Sequence, residues 1–333
     1  MFRQIKINNQ NKTMFYHKVY PKSWQALFKS PSLLFFGLFA SILGFNELKI
    51  IFNLTDATPD FISSVVMSWV EIFMLFSSAQ LGWSNMPDLL MLFGLFVIFS
   101  IATILAVSSQ GALIKASLEN KKTKESLRSY LKVGIEKFWP LLGLNLINTL
   151  IGYFFIILII EPIIYFLANN NEWIINILLA IITFFVLIPL VIMISFVTRY
   201  GAAYVVLRNE SLPQAFTHSW ELFKANWIIT IENAFVLTII TVAYFLALIT
   251  LIMFIFVPFL IFATLMSVND LFFGLIISLG VILGIIVFIL GVSFFSGFYN
   301  IVWANIWAEL NSPGKSHSKI HRLAHKHLPI LTR

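Results

Sequence analysis

Apolar blocks as long as a bilayer is thick, or longer, recur along this chain with few charges inside them. After an opening stretch carrying Arg3, Lys6, Lys12, Lys18, Lys22 and Lys29, an apolar run begins at Ser32 and reaches about Thr55, interrupted by Glu47 and Lys49. Five more follow at approximately Asp88–Ser117, Trp139–Asn169, Trp173–Tyr200, Trp227–Met266 and Leu271–Leu310. A hydrocarbon core of about 30 Å takes about 20 helical residues. Within it each segment must satisfy its own backbone N–H and C=O groups, which favours the α-helix. The pattern predicts an all-α polytopic bundle of about six transmembrane helices with short interfacial helices. The surplus length of several blocks predicts tilt or bends, with Pro162, Pro189 and Pro258 as the places for a bend.

Composition agrees with hydrocarbon as the solvent. Apolar residues make up 59% of the chain and charged ones 11%, against roughly 45–50% and about 25% in a soluble domain. So few charges cannot cover a water-facing surface of this size. The formal charge of +7 would point to nucleic acid if the basic residues gathered on one soluble face. They lie between apolar blocks instead, and no nucleic-acid partner is expected. The chain has no cysteine, which excludes disulfides and thiolate metal sites.

Lysine and arginine are retained on the cytoplasmic side of a membrane, so their distribution orients the helices. Six lie in the N-terminal arm, seven between Lys115 and Lys137, three between Arg199 and Lys224, and five from Lys315 to Arg333; the other side carries only Lys49. Both termini are therefore expected in the cytoplasm, with the chain multi-pass in a bacterial inner membrane. The first apolar run does not fit a cleaved signal peptide and is read as a retained anchor. The apolar segment Phe61–Trp83, which contains Glu71, tests this orientation. Were it a span, the seven cations of 115–137 would be translocated, so it is read as an external amphipathic or re-entrant piece within about 57–83. The plan is a basic arm with an amphipathic helix at 1–31, one six-helix transmembrane domain at 32–310, and a basic, His-containing cytoplasmic tail at 311–333.

Three units resemble one another, each an amphipathic segment followed by an apolar hairpin. Ser23-Trp24 leads to Leu27-Phe28-Lys29, Ser219-Trp220 to Leu222-Phe223-Lys224, and Tyr130-Leu131 to Lys137-Phe138-Trp139. Trp139 precedes Asn145 by the same interval as Trp227 precedes Asn233, and Gly111, Gly201 and Gly297 recur where the returning helices near the cytoplasm. A Trp and Lys pair would anchor each amphipathic piece at headgroup level. A three-fold repeat is the expectation, with chance self-similarity of membrane helices the alternative.

Small residues control how closely helices pack. Gly280, Gly284 and Gly291 lie near one face of the last block, and Gly37, Ser41 and Gly44 near one face of the first. They provide either packing within the chain or a surface for a homo-oligomer or protein partner. Polar residues inside the blocks are the candidates for a site, because an ionisable group at depth costs about 2.5–3.5 kcal/mol on insertion scales. Glu161 falls near the outer interface. Glu232 lies a little over a turn past Trp227, about 8 Å into the cytoplasmic leaflet, and needs a partner. Asn145, Asn148, Asn233, Asn300 and Asn305 belong to blocks at comparable depth, so a polar cluster opening to the cytoplasm can be drawn. Its two readings are hydrogen bonding between helices and a cavity for a polar headgroup or solute.

The tail places His317, His321 and His325 at helical spacing, with His327 nearby, among Lys315, Lys319, Arg322 and Lys326. Those cations repel a divalent ion, and Ile320, Leu323, Ala324 and Leu328 supply an apolar side, so the tail is read as a basic amphipathic helix on anionic lipid. Gly314-Lys315-Ser316 looks like part of a phosphate loop, but Glu309 stands where that loop needs glycine and no strand precedes it. Zinc-protease, nucleophile-elbow and dinucleotide patterns do not occur in the sequence. No catalytic, cofactor or metal residue is assigned.

Ser108-Ser109-Gln110-Gly111-Ala112-Leu113-Ile114, and Leu212-Pro213-Gln214-Ala215-Phe216 through Ser219-Trp220-Glu221-Leu222-Phe223-Lys224, resemble segments of uncharacterised bacterial six-helix integral membrane proteins. These are loosely similar to the membrane domain attached to some glycerophosphodiester phosphodiesterases. The resemblance implies a membrane domain without a catalytic residue, because the phosphodiesterase domain is lacking. The leading expectation is a non-enzymatic integral membrane protein in contact with membrane lipids, serving membrane organisation, envelope handling or partner assembly. The alternatives are a transporter or lipid-handling protein using the polar cluster, and a membrane-embedded enzyme.

The orientation is testable with one thiol in this cysteine-free chain. Lys121→Cys is expected to react with an impermeant maleimide in inside-out vesicles and to stay unlabelled in intact spheroplasts; labelling from outside reverses the map.

Overall fold

A computed structural model of the chain describes residues 15–43, 86–118, 127–155, 188–265 and 270–312, with isolated positions at 175, 178 and 181. Every regular element among them is helical. In chain order these are α1 (Phe15–Lys29), α2 (Leu33–Ala40, followed by the 3-10 turn Ser41–Leu43), α3 (Met86–Leu118), α4 (Leu127–Glu136) and α5 (Phe138–Phe155). Then come α6 (Ile188–Arg208), α7 (Leu212–Ala225), α8 (Trp227–Leu265) and α9 (Asp270–Leu310). The 57–83 segment, Gly44, Glu161, Pro162 and the tail histidines lie outside the described residues.

Among the described residues three helical stretches are long and apolar enough to cross a bilayer: Phe93–Leu118, Trp227–Leu265 and Phe272–Leu310. Their ends fall close to those read from hydropathy. α6 continues beyond the expected end at Tyr200 to Arg208, and α8 runs on through Pro258 as one helix. Three amphipathic helices, α1, α4 and α7, each precede an apolar one. The break is a single residue at Lys137 and at Asn226; α1 and α2 meet at 111°. At Asn226 the side chain donates to Leu222 O at 3.0 Å, and the Thr230 hydroxyl donates to Asn226 O at 3.0 Å. The Asn226 amide thus occupies the Leu222 carbonyl, whose backbone donor turns to Phe223 O at the break.

The helices form two compact units. In one, which takes in α1, most of α2, the end of α3, α7 from Trp220, and α8 and α9, the two long helices lie against each other. Their contact is set by glycine. A methyl on Gly280 would come within 2.9 Å of Phe259 Cβ, one on Gly284 within 3.5 Å of Ile252, and Gly291 faces Leu248. The Tyr244 hydroxyl donates to Gly291 O at 2.9 Å, and its ring stacks on Phe295 at 4.8 Å. The small-residue face of α9 is therefore filled from within the chain. Gly37 of α2 meets the Ser293 backbone directly, with no room for a Cβ, and the Ser293 hydroxyl donates to Leu34 O. Trp24 of α1 stands edge-on to Phe294 at 4.9 Å.

The other unit holds α3 up to Ala112, α4, α5, α6 and α7 up to Ser219. Gly134 of α4 leaves no room for a Cβ against the Ser108 backbone of α3, and a methyl on Gly111 would lie 3.0 Å from Gly134 Cα. Leu144 of α5 covers Gly201 of α6. The α6–α7 turn has local causes. Asn209 takes a left-handed φ of 58°, which asparagine tolerates better than most residues. Gln214 then reaches back to the start of α7, its Oε1 accepting from the backbone N–H and the hydroxyl of Ser211 at 3.3 and 2.9 Å, one half of the capping-box pattern.

Burial within each unit is concentrated at the helix ends next to basic segments. α3 is buried over 106–114 but largely exposed over 95–104, and α9 is buried over most of 295–307 but largely exposed over 272–290. The exposed stretches are the apolar ones, as lipid contact requires.

Glycine at the crossings is the feature to perturb. Gly134→Ala and Gly37→Ala push a methyl into backbone and are expected to cost about 1–3 kcal/mol each. Gly94→Ala, with nothing within 4 Å of its Cβ position, is expected to leave stability unchanged or slightly raised. Thermal unfolding in detergent, followed by tryptophan fluorescence, reads all three.

Candidate functional site

Glu232 and Asn233 follow Trp227 by little more than one turn of α8, so their polar groups enter the apolar stretch near its start. Asn233 is fully buried. Its amide nitrogen donates to Ile229 O at 2.7 Å. Its Oδ1 and backbone O lie 3.5 and 3.4 Å from the Tyr20 hydroxyl, which donates to them from α1. Burial, and after it the nearby Glu232 carboxylate, pushes the Tyr20 phenol upward, so it stays a protonated donor. Glu232 itself is half-buried, and its Oε2 is shielded with no hydrogen-bond partner among the described residues.

One turn further along α1, Ser23 is fully buried and meets α9. Its hydroxyl donates to Val19 O at 2.9 Å, and Asn305 Nδ2 donates to Ser23 Oγ at 2.9 Å. Because the single serine proton goes to Val19, Ser23 can only accept from Asn305. That choice fixes the amide, and Asn305 Oδ1, in a residue 3% exposed, is left with no partner among the described residues. Asn300 donates to Ser296 O on its own helix at 2.9 Å.

In the other unit Asn145 of α5 uses both amide protons, donating to Gln110 Oε1 of α3 at 2.8 Å and to Leu141 O at 2.9 Å. Asn148 is half-buried. The six residues drawn from the sequence as one cluster thus belong to two units. In the first, which also holds Glu232, Tyr20 joins Asn233 and Ser23 joins Asn305; in the second Gln110 joins Asn145. Sequence reading passed over these three partners. Tyr20 and Ser23 sit on an amphipathic helix taken as interfacial, yet the Ser-Trp pairs of the repeat held a signal: Ser23 and Ser219 are both fully buried. Gln110 stood inside a motif used only for resemblance.

Chemically, the residues tied to Tyr20 and Ser23 offer two shielded acceptor oxygens, on Glu232 and Asn305, and the other unit a closed amide pair. No group of three or more His, Asp or Glu able to hold a metal ion occurs among the described residues. Comparison with protein-family models, with characterised proteins and with solved structures finds no match to this chain.

The amide pair supplies a stability test. Asn145→Leu leaves the carbonyl of the largely buried Gln110 without its donor, and is expected to lower stability by about 0.5–2 kcal/mol. Asn148→Leu, which removes no hydrogen bond among the described residues, is expected to have little effect. Reversible unfolding in mixed micelles compares the two.

Proposed function

We propose that this chain is a non-enzymatic integral membrane protein that organises membrane or holds partner proteins together. Its setting is the bacterial inner membrane, with six transmembrane helices arranged as a three-fold repeat and both termini cytoplasmic. The observation that carries this reading is how the polar side chains at helix depth are used. Asn145 pairs with Gln110, Asn305 with Ser23, and Asn233 with Tyr20 and its own helix. Bonds of this kind hold helices in register. A chain that spends most of these amides on packing between helices meets partners through its surface.

That surface is extensive. Phe235, Ile239, Leu246 and Phe254 of α8 are exposed, as are Leu275, Leu279 and Ile282 of α9, and they provide area for lipid or for another transmembrane helix. The glycine face of α9 is occupied by α8, so a partner engages other faces. Support for the repeat comes from the order amphipathic helix, short break, apolar helix, seen at α1–α2, α4–α5 and α7–α8. The likeness to six-helix bacterial membrane proteins belongs to the same proposal.

Extraction directly into native-lipid nanodiscs, with cross-linking and mass spectrometry, tests the role. A stoichiometric protein neighbour, or a second copy of the chain, is expected. A solitary monomer that moves solute or lipid across reconstituted vesicles overturns the proposal.

A further inference from the structure

We propose that the α1–α8–α9 face bearing Glu232 and Asn305 binds a primary ammonium group. The proposal does not depend on the assembly role above, since it concerns a ligand held within one unit.

The argument starts from two unused acceptors. Glu232 Oε2 and Asn305 Oδ1 are both shielded from solvent and without a hydrogen bond among the described residues. Such groups are rare in folded proteins and each calls for an explanation. Both are tied to the same stretch of α1: Tyr20 bonds Asn233, the neighbour of Glu232, and Ser23 bonds Asn305. Residues three apart on a helix lie on one face, about 5–6 Å apart at Cβ. The two acceptors therefore belong to one neighbourhood, within one compact unit.

Charge then narrows the ligand. No ion pair to Glu232 exists among the described residues, although a carboxylate at this depth is costly without a countercharge. The Tyr20 hydroxyl is directed at Asn233. What completes the set carries a positive charge and N–H donors. A hard metal cation asks for about six oxygens, yet Ser23 Oγ and the Asn233 carboxamide are already engaged, which leaves too few. A primary ammonium can give protons to Glu232 Oε2 and Asn305 Oδ1 and leave its third to water, and a quaternary ammonium has no proton to give. Exposed Ile231 and Phe235 flank Glu232 on α8, so an acyl chain attached to the amine would find an apolar surface beside the site. The amine can come from a lipid headgroup or from a soluble molecule, and both share this chemistry.

The test is native mass spectrometry of the full chain in nanodiscs of phosphatidylglycerol mixed with either phosphatidylethanolamine or phosphatidylcholine of identical acyl chains. Wild type is expected to retain phosphatidylethanolamine about tenfold over phosphatidylcholine, the worth of one charge-assisted hydrogen bond. Glu232→Gln is expected to reduce that preference to near unity without lowering the unfolding temperature in phosphatidylcholine discs. Ethanolamine added to phosphatidylcholine discs distinguishes the sources: saturable stabilisation of wild type alone assigns the site to a soluble amine, and its absence beside retained phosphatidylethanolamine assigns it to the headgroup. Equal retention of the two lipids with no response to ethanolamine overturns the proposal, and this wild-type comparison decides even if Glu232→Gln does not fold. Stabilisation by sodium or potassium equal to that by the amine also overturns it, in favour of a metal ion.

Discussion

Helices surrounded by hydrocarbon gain little from apolar contact with each other, because lipid chains satisfy the same surfaces, so close backbone approach and hydrogen bonding must hold them together. Each unit meets that demand with the same device. A glycine is set against a serine carbonyl on another helix, Gly37 on Ser293 and Gly134 on Ser108, and a second glycine, Gly297 or Gly111, lies a turn further on. Removing the side chain at both crossings lets backbones touch where a methyl could not fit. The long exposed stretches of α8 and α9 can then be shaped for lipid, since cohesion is supplied near the helix ends.

Polar side chains follow from that arrangement. Serine, threonine and asparagine are tolerated in the packed ends because most find a carbonyl or another side chain there: Ser23 on Val19, Asn226 on Leu222, Thr241 on Leu237. Most of these bonds return to the residue's own helix and cost no tertiary arrangement. Others cross between helices, among them Tyr20 to Asn233, Asn305 to Ser23, Asn145 to Gln110, Ser293 to Leu34 and Tyr244 to Gly291, and these define register. Beside these bonds, the shielded Oε2 of Glu232 and Oδ1 of Asn305 have no hydrogen-bond partner among the described residues.

The all-helical character and the limits of α3, α8 and α9 were legible in the sequence, because hydropathy summed over some twenty residues is insensitive to which neighbour each helix finds. The amphipathic helices were legible too, from Trp and Lys at their ends. The partners of the candidate residues were not. The sequence puts Asn145 and Asn233 at equal distances from a tryptophan, and by depth alone both fall in one cluster. Only tertiary structure assigns Asn145 to Gln110 and Asn233 to Tyr20, since depth along a helix carries no information about rotation around it. The glycines show the same division: the Gly280, Gly284 and Gly291 spacing announces a surface for close approach, but whether that surface faces α8 or a second molecule depends on how the chain turns between 265 and 270, which no local pattern encodes. What residue order determines here is the solvent each segment can live in; what folding decides is which polar atom meets which, because that depends on angles and rotations set jointly by all the packed helices.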